Sequence, residues 1–575
     1  MGTFNREHTR KQAVSFWIKS RIFQTQRGVH NLFKGQSPLC KTSEKRGQTV
    51  AVSRSPLYSS NQPAEIELQA GKIQNLRIAA RYLNGIQIPR DGLFSFWAQV
   101  PRPSKRLGFV EGRELREGCL VPSVGGGLCQ ISNALFDVAL QAGFRIVERH
   151  AHSRQFPESR AALGRDATVY WNYVDLQFQA NIPVRLDVQL SRDELTVEFF
   201  SEEPALISHF PHVVKSPERA EAESCETCGV ITCFRHRPDI GQGEVTAWLM
   251  DSWMPELDRY LLKKRANRDW LFLPTVHGGM ANYRWSRKGF AQVRHSSWQV
   301  LHRSFISRRL KAQGAERQRA LLQMDANLAA SYARKLPPLA VHLTVAQNLL
   351  PHLWKSGVLG GRSFDVFMNR LPATDLHAIL DVAATKFPFS PTLQDFRADA
   401  AFVEAESEAL AAAEKWISPH PVILSRAGKK GLLLPWIFSN NEAGRKADPR
   451  GPVIFPASTL ARKGCYEMRE AARRLNLTVA LGGSVLESGG FWDGVNLASQ
   501  AWPENAGLVA LPAWVEHQPR RLLKAVAMGI PVVASEACGL KDIPGVHTFP
   551  TGDLDAFVEL IENIRANPLG RMKRS

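Results

Sequence analysis

Cys129, His150, His152 and Asp166 are the residues of this chain whose types and order suit covalent chemistry. Cys129 follows three consecutive glycines, Gly125, Gly126 and Gly127, and stands where an apolar stretch, 130–142, reads as a helix. Glycine allows positive φ and close approach of another group. A helix N-terminus carries partial positive charge and favours a thiolate. His150 and His152 follow on what reads as the next strand, and Asp166 comes after them. Thiol, imidazole and carboxylate in that order can form an oriented thiolate–imidazolium pair, as acyl transfer or peptide hydrolysis requires. Only one of the two histidines is expected to meet Cys129 directly. The same residues also suit ligand binding without chemistry, or a small buried thiol in a tight turn.

A second cluster is Cys225-x2-Cys228-x4-Cys233-x2-His236. Three thiolates and an imidazole satisfy tetrahedral zinc. An iron–sulfur cluster held by three cysteines is the alternative, and free thiols in a loop are the third reading. The surrounding stretch is poor in apolar residues, so a metal would supply stability that packing does not. Eight cysteines in 575 residues are too few for a disulfide framework.

The elements that must position these groups fall into two patterns. From about residue 65 the pattern is α+β: a helix near 73–83, a short strand at 92–96, a helix at 135–142 closed by Gly143, and strands at 145–148, 168–173, 184–190 and 195–200. From about 244 helices alternate with short apolar strands, at 245–250, 271–274, 340–343 and 366–368, with longer helices at 301–322 and 399–416. After 430 the alternation sharpens, with strands at 453–455, 478–481, 507–511 and 530–534 and helices at 465–475 and 554–564. Such alternation implies a parallel, doubly wound sheet. The expected domains are a basic arm at 1–60, an α+β domain at 61–205, a Cys-rich linker or metal knuckle at 206–243, and two Rossmann-like domains at 244–428 and 429–575.

Lys and Arg number 73 against 54 Asp and Glu, a net charge of +19. That excess favours anionic partners, such as phosphorylated substrates or an anionic membrane face. The chain has no recognisable nucleic-acid-binding motif, so nucleic acid is not an expected partner. No apolar run is long enough to span a bilayer. The basic start, Met1 to Arg27, lacks the apolar core and cleavage site of a secretory signal. The expected compartment is the cytoplasm. Val14, Trp17, Ile18 and Ile22 at helical spacing make peripheral contact with the inner membrane face the alternative.

The chemistry-bearing segment resembles the VanW family. Asn75–Gly85 is similar to its entry helix. Asp91-Gly92-Leu93-Phe94-Ser95-Phe96 is similar to its PGExFSF turn, and Gly125–Phe136 to its GGGxCQxSxxLF/Y element. Glu148–Ser153 resembles ERHxHS, Gly164–Val169 resembles GxDATV, and Asp175–Phe178 resembles DLxF. The resemblance implies a role near the cell envelope and does not name a reaction.

Leu523–Ser535, with Gly529-Ile530-Pro531-Val532-Val533-Ala534-Ser535, resembles the nucleotide-sugar site of family 4-type retaining glycosyltransferases. Phe455-Pro456 and Arg462-Lys463-Gly464 are similar to that family's strand followed by RKG. This resemblance implies two Rossmann-like domains with a nucleotide-sugar donor between them. Arg462 and Lys463 would neutralise the diphosphate leaving group, and Glu516 would contact the donor sugar. The family's second glutamate, on the ribose, is Lys524 here. The expected fold is therefore multidomain, an α+β VanW-like domain followed by an α/β two-Rossmann glycosyltransferase-like region. The expected function is sugar transfer from a nucleotide sugar to a cell-envelope glycan or lipid-linked acceptor. The alternatives are a non-catalytic envelope- or peptidoglycan-binding module with a degenerate transferase scaffold, and a Cys129-dependent acyl transferase or hydrolase.

Overall fold

The computed structural model describes residues 18, 21–27, 38–42, 44–58, 63–116, 119–152, 164–171, 173–204, 245–275, 283–299, 301, 303, 305, 315–394, 397–438, 448, 450–502 and 505–566. The chain divides into two compact units. The first comprises Met1–Thr246 with Arg334–His342 and Lys355–Ser363; the second comprises Ala247–Ala333, Leu343–Trp354 and Phe364–Ser575.

The first unit is built on antiparallel pairing. Its elements are β1 (Gln48–Pro56), α1 (Pro63–Leu83), β2 (Ile86–Ile88), β3 (Leu93–Ser95), β4 (Glu111–Arg116), β5 (Cys119–Val124), α2 (Cys129–Gln141), β6 (Arg145–Glu148), β7 (Gln177–Gln179), β8 (Val184–Leu190) and β9 (Glu194–Ser201). One sheet runs β1-β9-β8-β2, a second runs β3-β7-β6, and β4 pairs with β5. Apolar positions of α1 (Ile73, Leu76, Leu83) and of α2 (Ile131, Leu135, Val138) join Leu186, Val197 and Phe199 in one core. Phe178 lies at its centre, with ring centroids 4.6 Å from Phe94, 6.0 Å from Phe144 and 5.9 Å from Phe199.

Two readings of the sequence change here. Residues 48–56 are no arm: β1 pairs with β9 along its length. Its inward side chains are small, Ala51 and Ser53, so the strand has little apolar signature; the Ser53 hydroxyl donates to Asp137 Oδ2 at 2.7 Å instead. The described residues among 168–173 form no strand either. Tyr170 and Val174 form an isolated bridge there. The preceding stretch is held by side chains of α2: the Ala167 N–H donates to Asn133 Oδ1 at 2.7 Å, and Ser132 Oγ donates to the Ala167 carbonyl.

A loop at 357–361 completes the first unit. Tyr58 Oη donates to the Gly361 carbonyl at 2.9 Å, the Gly361 N–H donates to the Ser191 carbonyl, and the buried Arg77 guanidinium donates to the carbonyls of Gly360 and Gly361.

The second unit holds two sheets. Its strands are β10 (Val245–Leu249), β11 (Trp270–Leu273), β12 (Gln292–His295), β13 (Ala340–Ala346), β14 (Ser363–Phe367), β15 (Lys415–Ser418), β16 (Gly431–Leu433), β17 (Val453–Phe455), β18 (Thr478–Leu481), β19 (Asn496–Leu497), β20 (Leu508–Leu511), β21 (Val532–Ser535) and β22 (Val546–Phe549). The main helices are α3 (Pro255–Lys264), α4 (Ala315–Ala333), α5 (Ala373–Lys386), α6 (Ala400–Ala412), α7 (Cys465–Arg474), α8 (Arg520–Ala527) and α9 (Leu554–Ala566). The orders are β12-β11-β10-β13-β14-β15-β16 and β19-β18-β17-β20-β21-β22. In the second sheet β17 pairs in parallel with β18 and β20, and β20 with β21. Each order reverses once, between β10 and β13 and between β17 and β20, as in two Rossmann-like sheets. The helix expected at 399–416 is shorter. The Asp399 carboxylate caps α6 by accepting from the Phe402 N–H at 2.7 Å, and β15 has begun by Lys415.

Candidate functional site

The glycine turn before Cys129 is a packing device. Gly125 and Gly127 take φ of +86° and +96°. A Cβ on Gly126 would lie 2.5 Å from the Gly112 backbone, so the β4–β5 hairpin closes directly on the turn. Asn75, buried on α1, fixes that closure. Its Nδ2 donates to the carbonyls of Val110 and Gly126 at 3.0 and 2.9 Å, and its Oδ1 accepts from the Val110 N–H. α2 then starts at Cys129, which places the half-buried thiol on its first turn.

His152 lies next to this thiol and Asp166 lies behind His152. Asp166 is wholly buried and lies 3.0 Å from His152 Nδ1 through Oδ2, which also accepts from the His152 backbone N–H at 2.7 Å. Its Oδ1 accepts from Arg149 Nη2 at 2.7 Å. The Cys129 side chain lies close enough to the His152 ring to act on its protonation. Burial alone would lower the imidazole's pKa. The hydrogen bonds to Asp166 and Cys129, with their charges, outweigh it and raise the value from 6.5 to about 9.

His150 is not part of this arrangement. β6 ends at Glu148, so both histidines lie beyond the strand on which they were expected. The His150 side chain is half exposed, with Nε2 3.3 Å from Glu148 Oε1. Cys225, Cys228, Cys233 and His236 lie outside the described residues. Among the described residues, no three or more His, Cys, Asp or Glu side chains are arranged to hold a metal.

The structure brings Arg462, Lys463 and Glu516 to the wall of one cavity of about 360 Å³. The cavity lies where the second sheet reverses: its walls come from 456–463 after β17 and from 511–522 after β20. Ligands of open α/β sheets bind at such a reversal, beyond the carboxyl ends of the strands. Gly464 makes the approach possible. Its φ is +78°, and a Cβ there would lie 1.9 Å from the Pro512 carbonyl oxygen. The N–H groups of Trp514 and Val515 donate to the Arg462 carbonyl at 3.0 and 3.1 Å. Lys463 Nζ then reaches Glu516 Oε2 at 2.9 Å and the Val515 carbonyl at 3.0 Å.

Both partners of that pair are largely buried. Burial would raise the Glu516 carboxyl, but the charge and hydrogen bond of Lys463 prevail and hold it below its ordinary value. Burial lowers the Lys463 ammonium by more than Glu516 restores. His420 Nε2 lies 2.8 Å from the Glu516 carbonyl oxygen, and burial pulls that imidazole down to about 4.

Sequence reading did not single out Arg520 and Arg521, which add cationic wall at the start of α8. The signal was there as Gln518-Pro519-Arg520-Arg521, a proline followed by two cations at a helix start. Glu256 of α3 accepts from Arg520 Nη1 at 2.8 Å, and the Gly482 carbonyl accepts from Arg521 at 2.6 Å. Glu487 also escaped notice. Its buried Oε1 accepts from the Ala461 N–H at 3.0 Å and from Thr392 Oγ1 at 2.5 Å, which fixes the turn carrying Arg462 and Lys463. Lys524 is exposed on α8. At the other reversal, after β10, the buried Asp251 accepts from Asn348 Nδ2 at 3.1 Å and faces Arg303 Nη1 at 3.4 Å.

Residues 71–200 match the family described as VanW like protein and form a VanW-like domain. Over 141 residues the chain is 33% identical to the vancomycin B-type resistance protein VanW of Enterococcus faecalis, covering 24% of this chain and 51% of that protein. Over 151 residues it is 29% identical to the uncharacterized protein YoaR of Bacillus subtilis, covering 26% and 49%. The chain thus spans about half the length of the curated relatives it matches. Similar solved structures include the sucrose-phosphate synthase of Thermosynechococcus elongatus, with 16% identity, 56% of this chain and 90% of that chain covered, and a TM-score of 0.36. An α,α-trehalose 6-phosphate synthase from Burkholderia multivorans is 13% identical, with 56% and 90% covered and a TM-score of 0.30.

Proposed function

We propose that the second unit binds a nucleotide sugar in the cavity between the ends of β17 and β20 and transfers the sugar to a cell-envelope glycan or lipid-linked acceptor. The observation that carries this reading is the cavity's wall. Arg462, Lys463, Arg520 and Arg521 surround the single carboxylate of Glu516 at the reversal point of a parallel sheet. A departing nucleoside diphosphate gathers negative charge as the glycosidic bond breaks, and fixed cations stabilise that charge. Glu516, held ionised by Lys463, is suited to accept hydrogen bonds from sugar hydroxyls. Lys524 replaces the carboxylate expected on the ribose, so the nucleoside is held by other groups. The VanW-like domain's similarity to a protein named for vancomycin resistance supports an envelope acceptor. A cytoplasmic location at the inner membrane face belongs to the same proposal.

Thermal unfolding of the full chain with a panel of UDP- and GDP-sugars tests it. One member of the panel is expected to raise the melting temperature; at a hundredfold excess over Kd the gain is about 2.7 kcal/mol. Glu516→Ala is expected to abolish the shift. No shift with any nucleotide sugar would sink the proposal, and a shift without release of nucleoside diphosphate would favour a binding module without turnover.

A further inference from the structure

Cys129, His152 and Asp166 stand in series. The carboxylate lies 3.0 Å from one ring nitrogen of the imidazole, and the Cys129 thiol is near enough to act on the ring. Three groups that ligate a metal converge on a point; these are strung in a line, which suits proton transfer. Asp166 is wholly buried and doubly held, by Arg149 on Oδ1 and by His152 on Oδ2, so the ring orientation is fixed from behind. The thiol is half-buried and the His152 side chain is 18% exposed, so the front of the line is open to a reactant.

We propose that the first unit carries a second active site, in which Cys129 is a nucleophile toward amide or ester carbonyl groups, His152 is its general base and acid, and Asp166 is the positioning residue. The Cys129 thiolate attacks the carbonyl carbon, a carbon–sulfur bond forms, and the carbonyl π pair moves to oxygen. The amide N–H of Cys129, at the first helical position, stands outside the intrahelical ladder and can donate to the developing oxyanion. The intermediate collapses as the bond to the leaving amine or alcohol breaks, and that group takes its proton from the His152 imidazolium. Water or an acceptor amine then gives a proton to neutral His152 and attacks the thioester. The carbon–sulfur bond breaks, and thiolate and imidazolium are restored. The groups on the pair are Asp166 on His152, Arg149 on Asp166, and the Val169 carbonyl, 3.9 Å from Cys129 Sγ. This site does not depend on the sugar-transfer reading.

The full chain is treated with iodoacetamide and, separately, with p-nitrophenyl acetate, and the modified cysteine is located by peptide mapping. The expected result is preferential labelling at Cys129, with an acetyl thioester trapped there by the ester. Alkylation of Cys129 is followed as a function of pH. An ordinary thiol is only about 1% ionised two pH units below its pKa, and its greater intrinsic nucleophilicity returns about half of that gap. His152→Gln is therefore expected to slow alkylation at pH 6.5 about tenfold. Cys129→Ser should remove the adduct, and Cys40→Ser, which alters an exposed thiol, should leave it intact. Asp166→Asn should move the pH profile toward that of His152→Gln. Labelling without preference for Cys129, or a rate indifferent to His152→Gln, overturns the proposal. Should His152→Gln not fold, the wild-type ester reaction decides: an acetyl thioester at Cys129 supports the proposal, and its absence overturns it.

Discussion

At the scale of single residues, each candidate site depends on a buried carboxylate shared by two partners. Asp166 serves Arg149 and His152; Glu516 serves Lys463 and the N–H of Gln518. The first arrangement has a consequence for stability. The fold raises the His152 pKa from 6.5 to about 9, so it favours the imidazolium. The stabilisation is complete below about 6.5 and is lost as pH rises through about 9. The melting temperature of wild type should therefore exceed that of His152→Gln by a margin that shrinks between pH 7 and pH 10. A constant margin across that range would mean that the imidazole is held as a neutral ring. The sequence made the thiol, imidazole and carboxylate legible as types in order. It could not choose His152 over His150, because the choice depends on β6 ending at Glu148 and on the Asp166 carboxylate turning back to the His152 N–H.

At the scale of elements, the parallel strands were legible because buried strands between helices read as short apolar runs. Val453–Phe455 and Thr478–Leu481 fall where their side chains predict. β1 was hidden because it buries alanine and serine rather than leucine and valine, and a hydroxyl–carboxylate bond does the work of an apolar contact. The Arg462–Lys463 turn was legible as a motif, but its placement depends on Gly464 passing under Pro512. Gly464→Ala must both accept positive φ and displace a carbonyl. It is expected to cost more than about 2 kcal/mol and to abolish the response to nucleotide sugar. Chemical denaturation and the thermal-shift panel check both parts. A variant of wild-type stability that still responds would show that the turn has an alternative path.

At the scale of the whole molecule, the chain carries two compact units with separate cores, one antiparallel and one doubly wound. No helix among the described residues is long and apolar enough to cross a membrane. The expected boundaries followed sequence order, and the first unit does not: it also includes Arg334–His342 and Lys355–Ser363. Hydrophobic periodicity reports which side of an element is buried, not which unit buries it, so this was illegible. A fragment ending at residue 246 lacks the Gly360 and Gly361 carbonyls. Tyr58 Oη and the Arg77 guanidinium then lose these carbonyl acceptors, and each such hydrogen bond contributes about 0.5–1.5 kcal/mol. Cys129 in that fragment should be alkylated over a broader and lower temperature range than in the full chain. Equal profiles would show the fragment to be self-sufficient.

The loop at 357–361 therefore alters what can be exchanged between proteins. A graft that takes residues 71–200 alone moves every motif of the VanW-like domain, yet leaves behind the backbone oxygens that hold Arg77. The piece that can be inherited intact is longer than the piece that can be recognised, and recombination at the apparent joint near 205–244 would part a guanidinium from its anchor.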